Sequence, residues 1–324
     1  MKQSILSEIR FHNEEAAYEY VESVLWPGGP VCPHCGNDKA YALKARPESK
    51  TPVRAGVYKC AKCRKQFSVK VGTIFEDSHI PLRKWLQALY LIASSKKGVS
   101  CNQLHRALGI SLKSAWFLGH RIREAMRSGD LAPFGANGGT VESDETFLWT
   151  EPGAPVRKGY AHKRKVLALI DRESGQSRSF VVDAVDGKTI VPILQENIDR
   201  EARICTDEAG QYHYLKDHFA GHEIVTHSQG EYVSMKDRTV HTNCCEGFFS
   251  IFKRGMKGIY QHCKKEHLHR YLAEFDFRYN NRCGRPETKN KPAIEGLDDV
   301  QRAEKLLKGV VGRRLTYQTT CGEA

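Results

Sequence analysis

Two Cys-x-x-Cys knuckles, Cys32-Pro33-His34-Cys35 and Cys60-Ala61-Lys62-Cys63, constrain this chain more than any other stretch in it. Each knuckle sets two thiols on one tight turn, and two such turns complete a closed tetrahedral site of four thiolates for Zn2+. The competing use of the same cysteines is a pair of disulfides. The chain has eleven cysteines and no early apolar run resembling a signal peptide, which points to a reducing cytoplasm and favours the metal. The spacer between the knuckles is slightly longer than usual, and its polar stretch Arg46–Lys50 is expected to loop out. Tyr58, Phe67, Val69 and Val71 read as strands of a ribbon over residues 29–78. His34 reads as a solvated side chain. A closed site of this kind is structural and implies no chemistry.

Of 324 residues, 50 are Lys or Arg and 38 Asp or Glu, leaving a net charge of +12 that favours a polyanionic partner, nucleic acid first. No stretch approaches a membrane span. Ahead of the ribbon, within residues 1–28, positions 13–25 read as a helix capped by Asn13 and ended by Pro27-Gly28-Gly29-Pro30. After it, residues 79–130 change to a helical period. Leu82, Trp85, Leu86, Leu89 and Tyr90 form one apolar stripe. A short helix on Leu104 and Leu108 turns at Gly109 into a longer helix capped by Ser111. That helix carries Leu112, Ala115, Gly119, Ile122 and Met126 inward, and its other face offers Lys113, Ser114, His120, Arg121 and Arg123. Short helix, glycine turn and long basic helix make the helix-turn-helix pattern of DNA-binding proteins. Any three-helix bundle can show the same turn, so the basic composition decides for DNA contact through Lys113, Arg121 and Arg123.

Beyond the Gly/Pro linker Ala132–Gly139, residues 138–282 read as an α/β domain with a mixed sheet. Thr140–Trp149 is a strand around the acidic cluster Val141–Thr146. Lys165–Asp171 and Ser177–Val185 form a hairpin through the Glu173-Ser174-Gly175 turn. A helix over 187–200 follows, then the short apolar strand Ala202–Cys205 running into Thr206-Asp207-Glu208, a further helix, and a strand at Glu223–Thr226. Amphipathic helices over Thr242–Tyr260 and 265–280 close the domain. Residues 283–324 read as a C-terminal tail with a short helix near 298–308 and a fraying end.

The chemistry concentrates in three acids. Asp144 sits mid-strand, where an isolated carboxylate is costly unless it serves a ligand or partner. Asp207 follows the end of an apolar strand, the usual place for functional residues in an α/β sheet, although it also suits a helix N-cap. Glu246 lies near the start of the helix that carries Lys253 seven residues on, two turns along the same face. Asn243-x-x-Glu246 equally fits a capping box. Converging at one sheet edge, Asp144, Asp207 and Glu246 would hold two divalent cations about 4 Å apart for phosphoryl transfer, and hard oxygen ligands suit Mg2+, with Mn2+ as a substitute. Glu142, Glu145 and Glu208 compete for the same roles.

The segments CPHCG, YKCAKCRKQFSVKVGTIF, VESDETF, TDEAGQY, HTNCCEGFFSIFKRGMKGIY and YLAEFDFRYNNR together resemble the zinc-ribbon DDE transposases of bacterial insertion sequences, from the ribbon to Arg282. The resemblance implies an RNase H-like catalytic core, Mg2+-dependent cleavage at element ends and transfer of the exposed 3′-OH into target DNA. Carried over by position, the triad is Asp144, Asp207 and Glu246, with Lys253 as basic partner. Some relatives use an asparagine as the third residue, and Asn243 stands one turn before Glu246. Ser143 and Phe147 replace an apolar residue and a Tyr of the family pattern, and neither change touches the chemistry. A homo-oligomer on DNA, acting in the cytoplasm at the bacterial nucleoid, goes with joining two ends.

Basic runs flank the proposed site: Lys163, Arg164 and Lys165, then Lys253, Arg254, Lys257, Lys264 and Lys265. Each reads either as a solvated face or as a phosphate clamp, and the neighbouring carboxylates favour the clamp. His241, His262, Cys263, His267 and His269 match no standard metal spacing. Cys244 and Cys245 read as small packed residues. Two alternatives remain open at this level: a domesticated or inactive transposase, and a DNA-binding regulator in which the α/β domain is a scaffold.

Overall fold

Asn13 opens the first helix by accepting the Ala16 N–H at 3.0 Å, and α1 then runs Glu14–Leu25. The structure is a computed structural model that describes residues 3–44, 53–129, 132–156, 159–213, 215–282 and 296–316. The chain divides into two compact units, Met1–Met126 with Cys283–Ala324, and Arg127–Arg282.

In the first unit, α1 braces both the ribbon and the next helix. Its Glu22 accepts the Tyr58 hydroxyl at 2.7 Å. The ribbon is three short antiparallel strands, β1 (Ala40–Ala42), β2 (Tyr58–Cys60) and β3 (Gln66–Phe67), around Cys32, Cys60 and Phe67. Val69 and Val71 lie in turns past β3, a correction to the expected strands, since the chain leaves the ladder at Ser68. The segment 46–50 lies outside the described residues. Glu14 accepts the N–H groups of Leu82 and Arg83 at 2.6 and 3.2 Å, capping α2 (Leu82–Ser94) from another element. A capping box of Ser100 and Gln103 starts α3 (Cys101–Leu108), Gly109 ends it in the left-handed region, and Ser111 caps α4 (Leu112–Ala125).

The polarity of α4 differs from the sequence expectation. Leu112 is exposed, whereas His120, Arg121 and Arg123 are buried. Arg121 donates to the carbonyl oxygens of Ile74, Glu76 and Leu315 at 2.8, 2.7 and 3.0 Å. Gly119 leaves room for the Arg123 guanidinium, which would stand 3.1 Å from a Cβ there. Arg121 and Arg123 therefore act as core residues, because segments distant in sequence cover this face. Lys113 remains exposed at the start of α4.

The second unit is built on a five-stranded mixed sheet in the order β6-β5-β4-β7-β8. β4 (Thr140–Thr150), β5 (Lys163–Asp171) and β6 (Ser177–Val182) are antiparallel, whereas β7 (Arg203–Asp207) and β8 (Gly221–Val225) run parallel to β4. This is the RNase H-like order. Helix α5 (Gly187–Asn197), capped by Asp186, crosses between β6 and β7. The expected helix after β7 is replaced by short 3-10 turns at Gly210–Tyr212 and Leu215–Asp217. β5 explains the two layers: Val166, Ala168 and Ile170 pack with Phe248, Phe252 and Phe275, while Leu167 and Leu169 pack with Ile190, Leu194 and Tyr212. The phenylalanines come from α6 (Asn243–Gly255) and α7 (Lys265–Asn280), joined by a π-helical turn over Met256–Tyr260. Burying each of Phe248 and Phe252 stabilises the unit by about 1.5–3 kcal/mol. At the sheet edge, Asp276 of α7 accepts the Ser179 N–H and Asn280 accepts the Ser177 N–H, at 3.0 and 2.6 Å, so side chains of α7 occupy edge groups of β6 that a further strand would use.

The expected tail is instead part of the first unit. Helix α8 (Asp299–Lys308) buries Leu306 and Leu307, and its Arg302 donates to the Ala93 carbonyl at 3.0 Å. Gly309 has no substitute here, because a Cβ would lie 2.5 Å from the Ala125 carbonyl oxygen. The Pro/Lys-rich stretch 283–295 and the end 317–324 lie outside the described residues.

Arg121→Ala should cost about 2–4 kcal/mol of stability, since three carbonyls lose a charged donor together. Lys113→Ala should change it by no more than about 0.5 kcal/mol. Urea denaturation of the two variants checks this pair.

Candidate active site

Along β4, successive side chains point to opposite layers. Ser143 meets the Tyr212 hydroxyl at 3.3 Å and Glu145 accepts a hydrogen bond from it, so the odd-numbered side chains here face the α5 layer. Glu142 and Asp144 face the α6 layer. β7 joins β4 in parallel, the last pair being Glu142 opposite Cys205, and Asp144 and Asp207 each stand two residues past that pair, near enough for the charge of Asp207 to act on Asp144. Asp207 is the last residue of β7, and its Oδ1 accepts the Ala209 N–H at 3.0 Å in a tight turn. No α-helix follows it directly among the described residues, so Asp207 is not a helix N-cap.

Glu246 lies in the first turn of α6 and is exposed, as is Asn243, the first residue of that helix. The capping box expected from the sequence is absent. Thr242 precedes the helix with no side-chain cap, and the N–H groups of Cys244 and Cys245 go instead to Glu142, at 2.8 and 3.1 Å. Lys253, two turns on, is half-buried.

Electrostatics tie these groups together. Burial, then the charges of Glu145 and Asp207 and more weakly Glu246, push the Asp144 carboxyl up to about 8 against one bond from the Glu145 N–H. Burial also raises Asp207. Glu145 rises to about 7, chiefly through burial, with the Tyr212 hydroxyl opposing. The Lys253 ammonium is lowered by burial and by Lys257, with the charge of Asp144 acting the other way. The charges of Asp207 and Glu246 thus both bear on Asp144, and carboxylate oxygens are the hard donors that divalent cations such as Mg2+ prefer. The cysteine cluster is tighter: among the described residues it alone brings three or more metal-ligating side chains within 4.8 Å of one another.

The rival acids have other partners. Glu142 pairs with Arg172 at 2.7 Å, Glu145 binds Tyr212 and Gln211, and Glu208 accepts the Ser228 N–H at 2.9 Å. The basic runs separate as well. Arg164 is buried and donates to the Cys263 carbonyl, and Lys165 donates to the carbonyls of Ala161 and Lys163. Lys265 pairs with Asp183 at 2.7 Å and Lys264 with Glu266 at 3.6 Å. Of these, Arg164 alone is buried and taken up inside the protein, while Lys264 and Lys265 pair with acids at the surface. Lys257 and Arg254 are exposed on or just beyond α6. Sequence reasoning missed the roles of Glu142, Arg172 and Tyr212. The available signal was Glu142-x-Asp144, which puts two acids on one strand face, one of them needing an internal partner.

In the ribbon, Cys32 and Cys63 sulfurs lie 3.7 Å apart and those of Cys35 and Cys60 3.6 Å apart. Disulfides would require about 2.05 Å. Zn–S bonds of about 2.3 Å in a tetrahedron place sulfurs about 3.8 Å apart, so the cluster fits zinc. Burial pushes the Cys60 thiol up, but N–H groups of Cys63 and Lys62 and the neighbouring thiols outweigh it and bring it to about 6, favouring a thiolate.

Residues 137–280 match the ISXO2-like transposase domain, and residues 12–66 match the transposase zinc-ribbon domain. An uncharacterized protein in transposable element ISH50 of Halobacterium salinarum is 27% identical over 312 residues, spanning 90% of this chain and 96% of that protein. A cryo-EM structure of the simian T-cell lymphotropic virus intasome, in complex with a PP2A regulatory subunit, aligns over 60% of this chain and 72% of its own with 13% identity. Its TM-score is 0.29, too low to bear on the argument. With the five-stranded mixed sheet and the four-cysteine ribbon, these matches place the chain in the zinc-ribbon DDE transposase family of insertion sequences.

A carboxyl raised in the folded state binds its proton more tightly there than in the unfolded chain. Stability from Asp144 is therefore full below about pH 4 and is lost as pH rises through about 8. Without divalent metal, the melting temperature of the catalytic unit should fall as pH rises from about 5 to about 8, and Asp144→Asn should flatten that slope. Thermal melts across this range test the sign.

Proposed function

We propose that this transposase cuts DNA at the ends of a mobile element and joins the freed 3′-OH to target DNA, with Asp144, Asp207 and Glu246 holding the catalytic metal. The observation that supports this reading is that the charges of Asp207 and Glu246 both bear on Asp144, with Asp144 and Asp207 each two residues past the last β4–β7 pair. Bound there, a pair of Mg2+ ions would stabilise charge on the attacking and leaving oxygens of an in-line displacement. Mn2+ has the same ligand preferences and would substitute. Asn243, one turn before Glu246, is the alternative third ligand. The half-buried Lys253 meets the scissile phosphate, and Lys257 and Arg254 hold the flanking backbone without reading sequence.

The remaining assignments follow the same logic. Cys32, Cys35, Cys60 and Cys63 bind one structural zinc per chain. The exposed start of α4, with Lys113, contacts DNA as the second helix of a helix-turn-helix. Processing two element ends requires a homo-oligomer on DNA, working at the nucleoid. The described residues contain no helix long and apolar enough to cross a membrane.

Asp144→Ala and Asp207→Ala should abolish Mg2+-dependent cleavage of duplexes taken from either side of the coding sequence, while DNA binding survives. Glu246→Ala should do the same with no loss of helix capping, or Asn243→Ala should be the more damaging change if the amide is the third ligand. Full cleavage by both aspartate variants would leave a DNA-binding regulator as the better account. Cys60→Ser should release zinc, read by elemental analysis, and unfold the ribbon.

A further inference from the structure

Glu142 is fully buried between the strand that carries Asp144 and the helix that carries Glu246. One carboxylate oxygen accepts two early N–H groups of α6, those of Cys244 and Cys245, at 2.8 and 3.1 Å. The other accepts Arg172 Nε at 2.7 Å. Arg172 in turn donates to the carbonyls of Thr239 and His241, the segment leading into α6, and to His241 Nδ1 at 2.9 Å. Burial and the neighbouring guanidinium lower the His241 imidazole, with the charge of Glu142 acting the other way. His241 Nδ1 also lies 3.1 Å from Glu142 Oε1. With both oxygens engaged inside the protein, Glu142 is not available to a cation.

A helix start needs acceptors for its first N–H groups, and a local Ser, Thr or Asp normally supplies them. Here Thr242 supplies no side-chain cap, and the acceptor comes from a residue 102 positions earlier in the chain. A local cap would satisfy the N–H groups equally well without fixing where the helix stands. A cap from β4 also fixes the start of α6 against the strand, two residues from Asp144 on the same face. Arg172 and the two N–H groups thus meet on one buried side chain that ties the helix start to the strand. We infer that Glu142 is a positioning residue, which registers α6, and with it Glu246, against Asp144 and Asp207. This role rests on the proposed metal site and adds to it what sets the spacing between two ligand-bearing elements.

The test is Mg2+-induced stabilisation, read as the shift of the melting temperature with metal concentration, on Glu142→Gln, Glu142→Ala and Asp276→Ala. Asp276→Ala disturbs the same unit through Ser177 and Ser179 at the sheet edge, without touching α6's cap. Glu142→Gln keeps the shape and one acceptor if Glu142→Ala fails to fold. Both Glu142 variants should need roughly 10–100 times more Mg2+ for half the shift, the usual scale for removing a group that orients a metal ligand. Asp276→Ala should melt lower than wild type yet keep its midpoint. Wild-type midpoints in the Glu142 variants, or an equal displacement in Asp276→Ala, would overturn the inference and leave the metal reading standing. A wild-type protein showing no Mg2+ shift at all would overturn both.

Discussion

The parallel pairing of β4 with β7 is the constraint on which the catalytic unit depends. β4 is bonded on both sides, antiparallel to β5 and parallel to β7. Because side chains alternate, a one-residue slip would turn Asp144 toward Tyr212 and put Ser143 or Glu145 on the α6 layer. The apolar alternation of β5 holds the register, since Val166, Ala168 and Ile170 must face the phenylalanines of α6 and α7 while Leu167 and Leu169 face α5. Two hydrophobic layers thus place an acidic pair that neither layer would tolerate alone.

The cost of that placement is visible in the charges. Asp144 rises through burial first and its acidic neighbours second, and Glu145 on the opposite face rises mainly through burial. A carboxylate cluster of this kind is destabilising in the metal-free protein and becomes favourable when a cation neutralises it. Glu142 shows the other solution on the same strand. It is a carboxyl side chain too and more deeply buried, and Arg172 with two backbone N–H groups satisfies it internally. Two residues apart, one carboxylate is closed off and the other is left open.

Much of this was legible in the sequence. The cysteine knuckles, the β5–β6 hairpin, the glycine turn before Ser111 and the helix over residues 265–280 all carry local signals, and the structure contains each. Long-range partners were not legible. The period of α4 marks Arg121 as outward, and only the segment around Ile74 and a carbonyl 194 residues away make it a core residue. Asn243 and Glu246 have the spacing of a capping box, yet the N–H groups of this helix are taken by a strand far away in the chain. Charge alone also misled at Arg164, which is buried and donates to the Cys263 carbonyl on another element. Periodicity reports which face is apolar, and says nothing about what covers the polar one.

The proposed site gathers Asp144, Asp207 and Glu246 around a divalent cation. Cleavage of the polypeptide by Fe2+ bound in place of Mg2+, with peroxide as oxidant and fragments mapped by mass spectrometry, reads that geometry without DNA. The account predicts cuts clustered near residues 144, 207 and 246 that excess Mg2+ suppresses and that Asp144→Ala removes. Cuts confined to the cysteine ribbon, or near only one of the three acids, would contradict it.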